Sequence, residues 1–219
     1  MTQQNGNRKI IDLSVPLQNY ARELVSPQIV YRDHHEGALH ASKAFGVEIE
    51  DFQDCMAMAG EVVTANTHAG THMDAPWHYG PTTGGRPAMR IDEVPLEWCF
   101  ADGVVLDLRH KQAGDEITVG DIDAALAKIS YALKPLDIVL IDTGAGDLFE
   151  RSDYINLNAG MTAEATHFLL ERGVKVIGID AWGFDVPPVY QAERYRKGEQ
   201  EKLFPAHFIG RELEICIVE

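Results

Sequence analysis

His68-Ala69-Gly70-Thr71-His72-Met73-Asp74-Ala75-Pro76-Trp77-His78 packs three imidazoles and one carboxylate into one short segment. Imidazole and carboxylate are the ligands that borderline and hard divalent ions prefer. An ion held there lowers the pKa of bound water to about 7. The segment therefore reads as the centre of a metal-dependent hydrolase, and the rest of the chain is read outward from it.

Before the segment comes Glu61-Val-Val-Thr-Ala-Asn-Thr67, rich in β-branched residues and strand-like. His68 and His72 are four apart, a spacing that on a helix puts both on one face. Gly70, the flanking threonines and Pro76 argue against a helix interior. The expected path is a strand ending at His68, a tight turn at Gly70 and then extended chain. Alternate side chains of extended chain share a face, so His72 and Asp74 project together and the turn brings His68 to meet them. That makes three ligands with a position open for water. His78 is a further ligand or, preferred here, the general base or acid beside the water.

The segment resembles the signature of the cyclase-type metal hydrolases, His-x-Gly-Thr-His-x-Asp-x-Pro-x-His. That family includes bacterial kynurenine formamidase and isatin hydrolase. The resemblance implies that His68, His72 and Asp74 are the first metal ligands and that His78 is the catalytic histidine. Phe204-Pro-Ala-His207 is similar to the Leu-Pro-Ala-His segment of the formamidase branch. There the histidine binds a second metal together with a glutamate twelve residues later, which here is Glu219, and Asp74 bridges the two ions. Val176-Ile-Gly-Ile-Asp180 resembles the family's Gly-Ile-Asp strand end, so matching segments run from Ile10 to Glu219. Two departures stand out. Gln18-Asn-Tyr-Ala-Arg-Glu-Leu24 does not supply the Trp-Pro-Gly-Asp-like segment of the formamidase branch. Family members also run on past the glutamate, which implies a chain shortened at Glu219 or a terminal carboxylate beside a ligand.

Residues 1–219 are expected to form a single domain of mixed α and β structure, with residues 1–8 a disordered lead-in. Strand-like runs lie at Lys9–Leu13, Glu61–His68, Gly103–Leu108, Asp137–Asp142, Val174–Asp180 and Leu213–Val218. Helices are expected over Val119–Leu133, capped by Thr118 with Asp121 three residues on, and over Ala163–Arg172, capped by Thr162 and stopped by Gly173. The second helix and its flanking strands make a strand–helix–strand unit and a parallel pair. The family resemblance implies the swivelling β/β/α fold with a barrel-like β core. The segment from Tyr20 to Asp54 reads as a lid or as an arm on a neighbouring subunit.

The hydrophobic fraction of 45% and charged fraction of 24% are those of an ordinary globular chain. No run is long and apolar enough for a membrane helix. A net charge of −15 repels phosphate backbones and anionic lipid, which excludes nucleic-acid and membrane partners. Cys55, Cys99 and Cys216 lack paired zinc spacing and read as reduced, mostly buried thiols of a cytoplasmic protein.

Outside the motif, His167 reads as structural, His34, His35 and His40 as solvent-exposed, and His110 has no assigned role. Asp142-Thr-Gly-Ala-Gly146 reads as backbone wall of the site or as a turn. Asp180 and Asp185 are candidates for orienting ligand histidines. Trp77, held inside the motif, is the expected substrate-wall aromatic, with Trp182 and Phe184 more ordinary core residues.

These readings converge on hydrolysis of a small amide or cyclic amide of aromatic character. The cofactor is one or two divalent ions, zinc or manganese, and the assembly is a homodimer or homotetramer. A lactone hydrolase or cyclase of the same family stays open, as does a metal- and ligand-binding protein without turnover. His78 favours the enzyme.

Overall fold

The computed structural model describes residues 10–19 and 26–219. The expected lead-in over residues 1–8, Lys9 of the first expected strand and the opening of the Tyr20–Asp54 segment lie outside the described residues. In chain order the described elements are β1 (Gln28–Arg32), α1 (His34–Phe45), β2 (Gly60–Thr64), β3 (Met73–Asp74), α2 (Pro76–Tyr79), β4 (Thr82–Thr83), β5 (Arg86–Pro87), β6 (Gly103–Asp107), β7 (Glu116–Ile117), α3 (Val119–Lys128), β8 (Ile138–Asp142), β9 (Gly160–Met161), α4 (Ala163–Glu171), β10 (Val176–Ile179), α5 (Pro188–Lys197), α6 (Pro205–Phe208) and β11 (Cys216–Val218).

The main sheet has the order β3-β11-β10-β8-β6. β6, β8, β10 and β11 run parallel, and β3 closes one edge antiparallel to β11. The β8–α4–β10 unit is the expected parallel crossover. Barrel-like closure is not among the described pairings. Alternating residues build a core on each face of the sheet. Ile177 and Ile217 join Leu106, Val139 and Ile141 under Ile122, Leu126 and Leu169 of α3 and α4. Val176 and Cys216 face the other way, onto Val94 and Trp98. No helix among the described residues is long and apolar enough to cross a membrane.

Local chemistry sets the ends of the elements. Thr118 and Asp121 form the expected capping box of α3. That helix stops at Lys128 rather than Leu133, because Ser130 sits at φ +53° and the Tyr131 N–H turns back to the Leu126 carbonyl. Ile10–Leu13 is irregular rather than a strand: the Asp12 side chain accepts the Ser14 N–H and hydroxyl, a local turn that competes with pairing. β2 ends at Thr64, short of His68, because Asn66 opens a turn by accepting the His68 and Ala69 N–H groups.

The described part of the Tyr20–Asp54 segment contains β1, which pairs with β2, and α1. His34, His35 and His40 are exposed on α1, as expected. Cys216 is buried, but Cys55 is only half-buried and Cys99 is exposed, so the expectation of mostly buried thiols holds for one of the three.

The loop at residues 183–187 is held from below by β9, which packs directly against its backbone. Met161 N–H donates to the Phe184 carbonyl. A Cβ on Gly160 would lie 1.9 Å from Val186 N. The buried Asn158 amide donates to the carbonyls of Ala159, Gly183 and Asp185. Gly160→Ala is therefore expected to cost about 1–3 kcal/mol through backbone displacement. Urea unfolding of the two proteins checks this; an unchanged midpoint would contradict the packing.

Candidate metal centre

The site is assembled by the β3 edge. Asp74 pairs with Ile217 and Met73 with Val218. The ladder continues one step further: His72 N–H donates to the Glu219 carbonyl at 3.0 Å, and Glu219 N–H returns to the His72 carbonyl at 3.2 Å. Residues two apart share a face of a strand, so His72, Asp74 and Glu219 point the same way. Gly70, at φ +64°, supplies the expected turn, a conformation that suits a residue without Cβ. The turn folds His68 back onto the pair.

The result is a cluster around Asp74. His68 Nδ1 lies 2.7 Å and His72 Nε2 3.4 Å from Asp74 Oδ1. The two ring nitrogens are 3.1 Å apart. Donor atoms of a tetrahedral zinc site with bonds of ~2.0–2.1 Å stand about 3.3 Å apart, so this triad already has the span of a coordination sphere. On the other oxygen, His78 Nε2 lies 3.7 Å and His207 Nε2 4.0 Å from Asp74 Oδ2. His207 Nε2 is also 3.4 Å from Glu219 Oε1. Asp74 belongs both to a group with His68 and His78 and to one with His72 and Glu219, each able to converge on an ion.

Hydrogen-bond accounting makes the case for a cation. Both Asp74 oxygens and Glu219 Oε1 are buried without a hydrogen-bond partner. The close His68 contact lacks the directionality of a hydrogen bond. His72 Nδ1 lies 2.8 Å from the Gly70 carbonyl, which can only accept. In the neutral ring the Nδ1–H is committed there, and Nε2 turns a lone pair towards Asp74. His207 is arranged in the same way. Asp185 Oδ2 takes its Nδ1–H at 2.5 Å and its backbone N–H at 3.0 Å, while Oδ1 takes the Ala206 N–H. One buried carboxylate thus caps α6 and turns His207 Nε2 towards Asp74 and Glu219. Buried acceptors that converge without donors are costly unless a cation joins them.

The proton affinities follow from the same arrangement. Burial works against charge on His207, but Asp185 and Glu219 overcome it and push the imidazole up to about 10. Burial likewise opposes a carboxylate at Asp74, yet His72, His78 and His68 together hold it below the usual range. His78 is shifted the other way: burial, with His68 and His207 adding to it, lowers its affinity for a proton below that of free imidazole.

All six expected histidine and carboxylate residues therefore meet in one place. Trp77 does not join them. Its ring is half-exposed, with the Arg90 guanidinium 5.4 Å from its centroid, and it lines neither cavity at the cluster. The reason is α2: Pro76 starts a helical turn, which swings His78 inward and Trp77 outward. Trp182 and Phe184 take the place expected of Trp77 as aromatic wall. Asp185, considered in the sequence beside Asp180, is the one that orients a histidine. Asp180 instead accepts the Thr143 and Gly146 N–H groups and braces the 142–146 loop, which forms cavity wall. His167 stands apart from the cluster, 3.5 Å from Glu171 on α4.

The family model described as "Putative cyclase" matches residues 11–186. The chain belongs to the cyclase family. Solved structures agree in fold. A crystal structure described as a novel cyclase superposes with a TM-score of 0.70 at 19% identity, over 98% of this chain and 75% of that one. Isatin hydrolase A from Ralstonia solanacearum gives a TM-score of 0.70 at 18% identity, over 95% and 77%. An isatin hydrolase bound to the product analogue thioisatinate gives 0.61 at 20% identity, over 74% of this chain. This cyclase-family chain spans 62% of the length of that relative.

Replacing Asp185 with Asn removes the negative charge that holds the His207 Nδ1–H. The expected result is a 10- to 100-fold loss of zinc affinity, the usual cost of removing a carboxylate behind a ligand histidine. Isothermal titration of zinc into wild type and variant measures it. An identical binding isotherm would remove Asp185 from the site.

Proposed function

We propose that this chain is a metal-dependent hydrolase that cleaves the carbon–nitrogen bond of a small aromatic amide, either an aryl formamide or a cyclic amide of the isatin type. The observation that carries this reading is the set of buried Asp74 and Glu219 oxygens that no hydrogen bond satisfies, beside His72 and His207 rings whose Nδ1–H groups are held on the far side. The names of the structural relatives, isatin hydrolases and a potential metal-dependent hydrolase with cyclase activity, support the reaction class.

His68, His72 and Asp74 would hold one ion, and Asp74, His207 and Glu219 a second. Histidine with carboxylate suits zinc or manganese. When bound, such an ion supplies an acidified water and a Lewis acid for the carbonyl. The chain's own groups supply the remainder. His78 Nε2 accepts a proton from the attacking water and returns it to the leaving nitrogen. Its side chain is 39% exposed against 1% for Asp74, so it faces the substrate side of the cluster. Trp182 and Phe184 wall the cavity and exclude water from the acyl group. Exposed Val30, Tyr31, Val62 and Val63 on the β1–β2 ribbon support assembly into a homodimer or homotetramer.

His78→Ala is expected to retain its metal content while turnover of an aryl formamide or isatin falls by about 10²–10⁴. Elemental analysis with a spectrophotometric assay tests both halves. Full activity in this variant would remove His78 from proton transfer. Chelation should abolish turnover, and added zinc or manganese should restore it. Activity that survives chelation with the ion gone would overturn the metal-dependent reading.

A further inference from the structure

We propose that the substrate is uncharged and carries an apolar group on each side of the carbonyl under attack. This rests on the metal-dependent C–N hydrolase reading above and replaces its formamide and isatin examples with an amide substituted on both sides of the carbonyl. Two cavities open from the ligand cluster, and among the described residues they share His68, His72, Trp182 and Glu219 as wall. The first, of about 310 Å³, lies against the 183–188 loop and α6, with Phe184, Phe204 and Phe208 in its wall. The second, of about 330 Å³, lies against one face of the parallel strands, with Val105, Leu140, Phe149 and Val218 in its wall. Leu140 leans over Gly178, where a Cβ would lie 2.6 Å from its Cδ2, so the two residues form one continuous wall of the second.

Each cavity alone is at the lower bound of ligand pockets, roughly 300 Å³. The ring of an aryl formamide, or a fused ring that carries its own carbonyl, occupies one of them and leaves the other empty. A carbonyl at the cluster with a ring or branched chain on either side fills both.

The charge of the walls points the same way. Among the described residues neither cavity is lined by Lys or Arg. Their acids other than Glu219 of the cluster are already engaged: Asp142 faces Arg109 at 3.3 Å, Asp180 holds the 143–146 loop, and Asp185 holds His207. A substrate carboxylate in either lobe would meet no cationic side chain of the wall, in a protein of net charge −15. The reaction needs no co-reactant besides water. The C–N bond breaks, the hydroxyl goes to the carbonyl carbon and the proton to the nitrogen, and the products are an aryl or alkyl carboxylic acid and an amine.

Ketones that cannot be hydrolysed test the lobes apart from catalysis. Zinc-loaded full chain is titrated calorimetrically with acetophenone, with deoxybenzoin, which has a ring on each side of the carbonyl, and with deoxybenzoin bearing one para-carboxylate. Deoxybenzoin should bind at least about tenfold tighter than acetophenone, and the carboxylate should lose at least about tenfold against its parent. Val105→Glu charges the second lobe at a position that is 55% exposed and tolerant of change. It should cut the deoxybenzoin advantage to about threefold or less. Equal affinity for the two ketones, an unpenalised carboxylate, or an advantage that survives Val105→Glu overturns the proposal. Turnover is scored separately on formanilide, benzanilide and isatin. The expected ketone series with no turnover on any of them supports the lobes and overturns the hydrolase reading. Turnover of formanilide with a flat ketone series keeps the hydrolase and overturns the lobes.

Discussion

Two backbone hydrogen bonds between His72 and Glu219 decide the geometry of this protein's site. They extend the β3–β11 ladder by one residue beyond its regular strands and tie down Glu219. The strand period then does the rest. With His72 opposite Glu219 and Asp74 opposite Ile217, three ligand-type side chains emerge on one face. A slip of one residue in this register would turn that set into the opposite core, among Val94 and Trp98. The apolar alternation of Cys216, Ile217 and Val218 guards the register, because each face of β11 is already committed to a packed layer.

The second organising principle is the commitment of protons away from the centre. His72 spends its Nδ1–H on the Gly70 carbonyl and His207 spends its own on Asp185. In each ring, once neutral, only one nitrogen carries the proton, so displacing the second proton leaves the nitrogen that faces Asp74 as an acceptor. Asp185 does this while also accepting two α6 backbone N–H groups. It is itself fixed through its loop by Asn158 and the close approach at Gly160. The orientation of one imidazole therefore depends on a chain of contacts that begins in β9.

How much of this is legible in the sequence depends on the range of the interaction. The turn at Gly70, the extended run through Asp74 and the two capped helices are written in adjacent residues and can be read from them. The inward turn of His78 is also local, because Pro76 at the first position of a helix signals it. Taken instead as a break, Pro76 leaves Trp77 on the cavity wall, where Trp182 stands. The Lys9–Leu13 expectation meets the same limit, since Asp12 and Ser14 satisfy each other before any neighbour strand can. The pairing of His72 with Glu219 and the reach of Asp185 to His207 join segments distant in sequence. Only the family resemblance points to His207 and Glu219.

Burial separates four residues of the cluster from the two at its mouth. Asp74 is 1% exposed and Glu219 9%, with His72 and His207 each at 13%. These four have little freedom, and their alternatives to a cation are a trapped proton or an unpaired charge. His68 at 36% and His78 at 39% border open space. A proton carrier must meet water and substrate in turn, which the place of His78 at the mouth allows; His68, equally exposed, is set apart from it by its 2.7 Å approach to Asp74. The same difference in burial explains why the lowered proton affinity of His78 and the raised affinity of His207 coexist within one site. The first ring sits among other imidazoles at the mouth, and the second lies in a pocket whose nearest charges are Asp185 and Glu219.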